Sequence, residues 1–424
     1  LKRWRLAVAA VLLLALGSTG DDPTLLDAPP AEESELLELA AGLDRPPAPP
    51  GATRSRSLLP PPPPPEAGRS TSGLTPLAAA RPMAPARVGF EISGMLGPIA
   101  RSALASDLAY VRSLRVEDDC DFLISGRAQS GSFTLSLRRS SDGIGFTRSY
   151  QGADFISFLH TFADDVVESL TGRRAAFSSR IAFGQRVARG RKDIMVADAD
   201  GRGLTRVSSG HGIATLPAFG PEGVFYSVAT PTGVFITQSG TDDHPIVGGN
   251  RTNMGARFCG GRLYFASSRD GNMDIYSVRP DGSDEQRLTA HDGLDLSPTC
   301  APGGGIAFVS NRRGNPQIFL ARGAPGEPEQ LTRGEYEAQT PSLCGRWLAY
   351  TEVGDGMRIM VLDRRTGVAT RISPARGEHK DPAFSPDCRM IAWSSPRGII
   401  VARRDGRLPR VIVPGRAETI RWER

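Results

Sequence analysis
The chain has 424 residues, with 51 Lys plus Arg against 46 Asp plus Glu and five Cys, which is room for two or three domains of about 100–200 residues each. Beyond the amino end no apolar run reaches the ~18 residues of a membrane-spanning helix, which argues against a polytopic membrane protein. Five Cys without a C-x-x-C pair argue against both a disulfide-dense scaffold and a cysteine zinc site.

Lys2, Arg3 and Arg5 precede an apolar stretch from Leu6 to Leu16, and the small residues Gly17, Ser18 and Gly20 follow. This order reads as a secretory signal over 1–20, cut near Gly17. Its apolar core is too short to span a bilayer comfortably, so no stable membrane insertion is expected after cleavage. Losing those three cations takes the formal charge from +5 to +2, and a near-neutral chain argues against a nucleic-acid partner. Lys2, Lys192 and Lys380 are the only lysines; the other 48 basic residues are Arg. A single surface Arg is therefore weak evidence for function here.

Residues 21–86 read as a disordered acidic and Pro-rich linker. Asp21 to Asp44 holds eight acids and no base, and an unbroken proline run spans Pro60 to Pro65; such runs form stiff, extended spacers. Leu36, Leu39 and Leu43 share one helical face, read first as a transient helix and second as a docking helix formed on binding. From 87 to 176 the pattern is that of a small α+β domain. Arg87-Val-Gly-Phe-Glu-Ile alternates as a strand, Ile99 to Leu114 is partly helical, and three further strands follow. The last two join around Ser141-Asp-Gly, a hairpin signal. Phe155, Phe158, Leu159, Phe162, Val166, Val167 and Leu170 then recur at helical spacing up to Gly172, as a core-facing stripe with a C-terminal stop.

The remainder, 177–424, repeats itself. An apolar-x-aromatic triplet recurs at Ile181, Val224, Leu263, Ile306, Leu348 and Ile391, at intervals of 43, 39, 43, 42 and 43 residues. Each is followed by two more short strands, for example those at Ile275 and Arg287-Leu-Thr, with Pro245-Ile-Val as the third strand of the second copy. Most are preceded by a proline-led one, as in Ser297-Pro-Thr and Asp381-Pro-Ala-Phe. Four strands per ~40–50 residues identify a β-propeller blade, so the fold class is mainly β: a six-bladed propeller behind the α+β domain. Thr419–Glu423 is expected to be the innermost strand of the blade begun at Arg180, closing the ring.

No G-x-S-x-G elbow, H-E-x-x-H or phosphate-binding loop is present, so no enzyme activity, catalytic residue, metal or cofactor is expected. Asp-Gly pairs at 198–201, 270–271 and 281–282 read as strand-joining turns. Cys259, Cys300 and Cys344 recur at similar points of successive blades, judged too far apart to pair, and are expected as mostly buried free thiols. His211, His291 and His379 precede innermost strands in alternate blades, at one mouth of the central channel. With Asn253, Asp295, Glu337, Gln339, Lys380 and Asp381 they are expected to form a polar, mixed-charge rim for a protein partner.

The repeat Arg262-Leu-Tyr-Phe-Ala-Ser-Ser-Arg-Asp-Gly-Asn-Met-Asp-Ile-Tyr-Ser-Val-Arg-Pro-Asp-Gly resembles that of the TolB family, as do Pro382-Ala-Phe-Ser-Pro-Asp and the junction Leu170-Thr-Gly-Arg-Arg-Ala-Ala-Phe-Ser-Ser-Arg-Ile-Ala-Phe. The resemblance covers about 87–424 and departs at 21–86, where the family usually has only a short segment. It implies a non-enzymatic periplasmic scaffold of the Tol–Pal cell-envelope system, supporting outer-membrane integrity and division. It further implies a Pal-like peptidoglycan-associated lipoprotein bound at the propeller rim and TolA contacted through the amino-terminal part. The alternative is a secreted propeller binding a small ligand or glycan in its channel, or an accessory subunit of a peptidase.

Overall fold
In the computed structural model of the chain, residues 85–423 are described apart from 211, 232, 242, 243, 250 and 323–325. The signal read over 1–20, and the linker read over 21–86 except for its last two residues, lie outside them. Among the described residues no helix is long and apolar enough to cross a membrane.

The first folded unit comprises β1 (Ala86–Ser93), α1 (Gly97–Leu108), β2 (Leu114–Val116), β3 (Phe122–Gln129), β4 (Ser132–Arg139), β5 (Gly145–Gln151) and α2 (Phe155–Thr171). Its sheet runs β2-β1-β3-β4-β5, with β1 parallel to both neighbours and the rest antiparallel. The hairpin expected around Ser141-Asp-Gly joins β4 to β5. Strand β2 has no counterpart among the strands expected from the sequence; it has three residues, of which only Leu114 is buried, too few for an alternating pattern to register. Helix α2 starts where the Asp154 carboxylate accepts from the Ser157 amide and stops at Gly172, which takes φ 70°, a conformation glycine adopts without a Cβ clash. Its fully buried Leu159, Phe162, Val166 and Val167 make the stripe a core. Phe155 at its start meets Phe133 of β4 edge-on, with ring centroids 5.2 Å apart.

From Arg180 onward the strands form blades. Blades 3 to 6 are separate four-stranded antiparallel sheets, whose innermost strands are Asn253–Cys259, Asp295–Cys300, Glu337–Cys344 and Lys380–Phe384. Blade 2 is led by Ile213–Gly220. Pro245-Ile-Val contributes only an isolated bridge between Ile236 and Val247 rather than a full strand; proline has no N–H to donate to a ladder. Blade 1 draws on both ends of the repeat region: Ala417–Glu423 pairs antiparallel with Arg180–Ala188, setting Trp422 opposite Ile181. The ring closes as expected, with a strand two residues longer. Each innermost strand touches the next all the way round.

The six innermost strands share one irregularity. Leu216, Gly255, Ser297, Thr340, Asp381 and Thr419 all have positive φ, from 47° to 71°, and beside each the register with the second strand slips. Such a bulge bends the strand and re-aims the side chains after it. In four of the six blades proline follows immediately, at a point where the ladder can spare an N–H. The recurrent proline thus marks a bulge rather than a strand start.

Two disulfides correct the expectation of free thiols. Cys259 pairs with Cys300 across blades 3 and 4, and Cys344 with Cys388 across blades 5 and 6, at Cα separations of 5.7 and 5.6 Å. Blades diverge outward but their innermost strands converge on the axis, so neighbouring strand ends come within disulfide reach. Cys120, in the α+β unit, is free and partly buried.

The two units share a core. Leu159 and Phe162 of α2 belong to the same buried cluster as Phe177, Ile181 and Trp422. The Trp422 indole donates to Ser179 Oγ at 2.7 Å, and Arg389 of blade 6 donates to the Thr171 hydroxyl and to the carbonyls of Arg173 and Arg174.

Candidate functional site
The connections that lead into the innermost strands surround one mouth of the channel. Of the residues expected at this rim, His291 is exposed, Glu337, Gln339 and Lys380 are half-buried, and Asn253, Asp295, His379 and Asp381 are buried; His211 lies outside the described residues. The exposed and half-buried ones are held in place locally. The His291 ring nitrogen Nδ1 accepts the Gly293 amide at 2.8 Å, its carbonyl accepts from Asn272, and Gln339 donates to Glu337 at 2.6 Å.

The buried four shape the rim from beneath. Asn253 Oδ1 accepts from Ser267 at 2.8 Å and from Arg269 at 3.0 Å. Asp295 accepts from Arg312 at 2.8 Å, at the equivalent point of the next blade. Each of these arginines lies over two aromatic rings of its own blade: Arg269 over Phe265 and Tyr276, Arg312 over Phe308 and Phe319. An acceptor, an arginine and two rings therefore form a clip that is part of the repeat. His379 accepts the Trp393 indole N–H at Nδ1, 3.1 Å away, and lies 3.0 Å from the Arg376 carbonyl through Nε2. Since the first contact requires a bare Nδ1, Nε2 carries the proton and the ring is neutral. Asp381 accepts the Thr419 amide at 2.8 Å, joining blade 6 to blade 1.

Three rim features were not singled out from the sequence. Tyr336 is 38% exposed, with Arg358 4.7 Å from its ring centroid. It lies so close to Gly354 that a Cβ there would fall 2.2 Å from the ring, which accounts for the glycine. Glu418 stands between the only two lysines of the folded units: Lys192 bonds to one carboxylate oxygen and Lys380 lies 3.4 Å from the other. Burial pushes the Lys192 amine below its ordinary value despite Glu418. Arg333, Glu335, Arg376 and Glu378 are also exposed on these connections. The scarcity of lysine was the available signal for Glu418; Tyr336 and Gly354 meet only in three dimensions.

Among the described residues no group of three or more His, Cys, Asp and Glu is placed to hold a metal ion. Fold and rim together define a six-bladed propeller protein that offers a mixed-charge, partly aromatic surface on a rigid ring.

The chain belongs to the TolB beta propeller domain family, whose model matches residues 167–418. A Protein TolB homolog of Chlorobium chlorochromatii is 31% identical over 166 residues, 38% of each chain. One of Chlorobium luteolum is 32% identical over 175 residues, 37% of this chain and 38% of that one. The Tol-Pal system protein TolB of Anaeromyxobacter dehalogenans is 30% identical over 155 residues, 35% of each. The chain thus spans under two-fifths of the length of the curated relatives it matches. In fold it is similar to the crystal structure of TolB from Acinetobacter baumannii, with TM-score 0.66 and 20% identity over 81% of this chain and 98% of that one.

Proposed function
We propose that the chain is a non-enzymatic scaffold of a periplasmic Tol–Pal system, exported by its amino-terminal signal. In this reading the rim around His291, Glu337, Gln339 and Lys380 receives a Pal-like peptidoglycan-associated lipoprotein, and the amino-terminal part contacts TolA. The observation that carries it is the run of relatives at about 30% identity named as Tol-Pal system proteins. Rim chemistry supports it: exposed charges of both signs and a tyrosine stand on loops anchored from below, and aromatic anchors at such sites dominate binding energy.

The test is calorimetric titration of the purified chain with the lipid-free domain of a peptidoglycan-associated lipoprotein. Saturable binding is expected. Tyr336→Ala with His291→Ala should weaken it at least about tenfold while leaving the melting temperature in place, since both side chains are exposed. Absence of binding to the wild-type chain would remove the reading. Asp295 is unsuitable as a binding probe: its loss would take from the buried Arg312 guanidinium its close carboxylate partner, leaving only the exposed Glu327 at 3.9 Å.

A further inference from the structure
A cleft opens where the α+β unit meets blades 5 and 6. Tyr110 donates to the Leu408 carbonyl at 3.3 Å and Arg410 to the Ser106 hydroxyl at 3.0 Å, so its two walls are tied together. Between them lie a cavity of about 500 Å³ and another of about 660 Å³, which share Val111, Arg112 and Arg403. The first has the size of a small-molecule site. Its apolar wall is Trp347, Val361, Val368 and Ile372 of blade 5, with Val111 of the α+β unit opposite. Six arginines and three acids line the two cavities together.

Arginine is abundant in this chain, so what each guanidinium holds decides more than their number. Arg389 is fully engaged by Asp387 at 2.9 Å, the Thr171 hydroxyl and two carbonyls. Arg403 pairs with Asp405 at 3.2 Å, and Arg112 lies 3.9 Å from the same carboxylate. Arg404 differs. Half-buried, it lies 4.2 Å from the Trp347 ring centroid. Among the described residues its side chain hydrogen-bonds only to a neutral acceptor, the Cys388 carbonyl, at 2.5 Å. The carboxylates whose charge reaches it are Asp405 and Asp387, both already paired with other arginines. Burial, then the charges of Arg346 and Arg112, hold Arg404 below its ordinary value. Burial lowers Arg403 as well; Asp405 opposes this, while Arg112, Arg407 and Arg115 add to it. Guanidinium keeps its proton in proteins, and its planar fork of N–H groups matches an oxyanion. The aromatic and aliphatic wall beside it suits an apolar body rather than a bare ion.

We propose that the first cavity of this cleft binds a small organic anion, whose phosphate or carboxylate group is held between Arg404 and Arg112 and whose apolar body lies against Trp347 and Val361. The site shares no residue with the rim assigned to a protein partner, and does not depend on that assignment.

The test is calorimetric titration of the full chain with phenyl phosphate, benzoate, inorganic phosphate and benzyl alcohol at constant pH and ionic strength. Saturable binding of phenyl phosphate or benzoate is expected, at least about tenfold tighter than that of inorganic phosphate, which lacks the apolar body. Benzyl alcohol, which lacks the charge, should give no saturable heat. The tighter of phenyl phosphate and benzoate assigns the anionic group. Arg404→Met and Arg112→Ala should each weaken binding about tenfold or more, as a charge-assisted hydrogen bond is lost. The Arg112 side chain is 71% exposed, so Arg112→Ala carries the test should Arg404→Met fail to fold. No saturable heat from either aromatic anion would overturn the site. So would an affinity unchanged in Arg112→Ala, or benzyl alcohol bound as tightly as phenyl phosphate, which would mark an apolar cavity without an anion site.

Discussion

His160 and His379 are both buried, yet their neighbours move them in opposite directions. His160, on α2, lies 2.6 Å from Asp107 of α1 and 3.0 Å from Asp200 of blade 1. Burial opposes its charge, but the two carboxylates outweigh it and hold the ring protonated to about 10. Burial raises Asp107, while Asp200 is held below the carboxylate range by His160 and the Arg202 amide, so Asp200 is the firmer counter-ion across the two units. Among the described residues His379 meets no carboxylate; burial lowers it below 6.5. The linkage signs follow. With its folded value raised, His160 contributes stability that is full below about 6.5 and is lost as pH climbs to about 10. With its folded value depressed, His379 contributes stability that is present above about 6.5 and fades as pH falls. Urea unfolding at a series of pH values should show His160→Gln flattening the alkaline decline and His379→Phe flattening the acid one. Wild-type and variant curves that stay parallel would contradict these assignments. Both histidines were visible as residues, but their partners come from other elements. His160 carried no motif at all; its role depends on Asp107 lying 53 positions away in the chain.

Among the elements, the innermost strand is where sequence signals translated least directly. Its proline was legible and so was its period, but the proline reports a bulge with a left-handed residue before it. That distinction is set by backbone geometry against the second strand, not by residue type, since Leu216, Ser297, Thr340, Asp381 and Thr419 have little else in common. The cysteines failed for a related reason. Spacing along the chain placed Cys259 and Cys300 in separate blades, and only the convergence of strand ends on the axis brings them together. Each cross-link closes a loop of 41 or 44 residues and should contribute about 2–4 kcal/mol. Cys259→Ser and Cys344→Ser should therefore each lower stability by that amount in denaturant melts run without reductant, and added reductant should bring the wild type toward the variants. A wild-type melt indifferent to reductant would show that the bridges add nothing.

For the molecule as a whole, closure is the decisive feature. Blade 1 exists only when Ala417–Glu423 returns to Arg180–Ala188, and that strand also carries Trp422 and Ile420 into the core shared with the α+β unit. Trp422→Ala should cost about 3–5 kcal/mol, and removal of residues 418–424 should lower the melting temperature still more, because it opens the ring and exposes the faces of blades 1 and 6 together. A truncated chain that melted like the intact one would mean the ring does not depend on its clasp.

The architecture was legible because it is periodic: apolar triplets some 40 residues apart must be buried by identical neighbours, and a single strand left over at the carboxyl end has one place to go. The exposed part of the rim could be located for the same reason, since loop position follows from blade order. Which rim residues face solvent and which cysteines meet were settled by the tertiary structure alone. Those outcomes depend on distances between blades, and residues at equivalent places in the repeat are separated by whole blades along the chain but by a few ångströms around a ring.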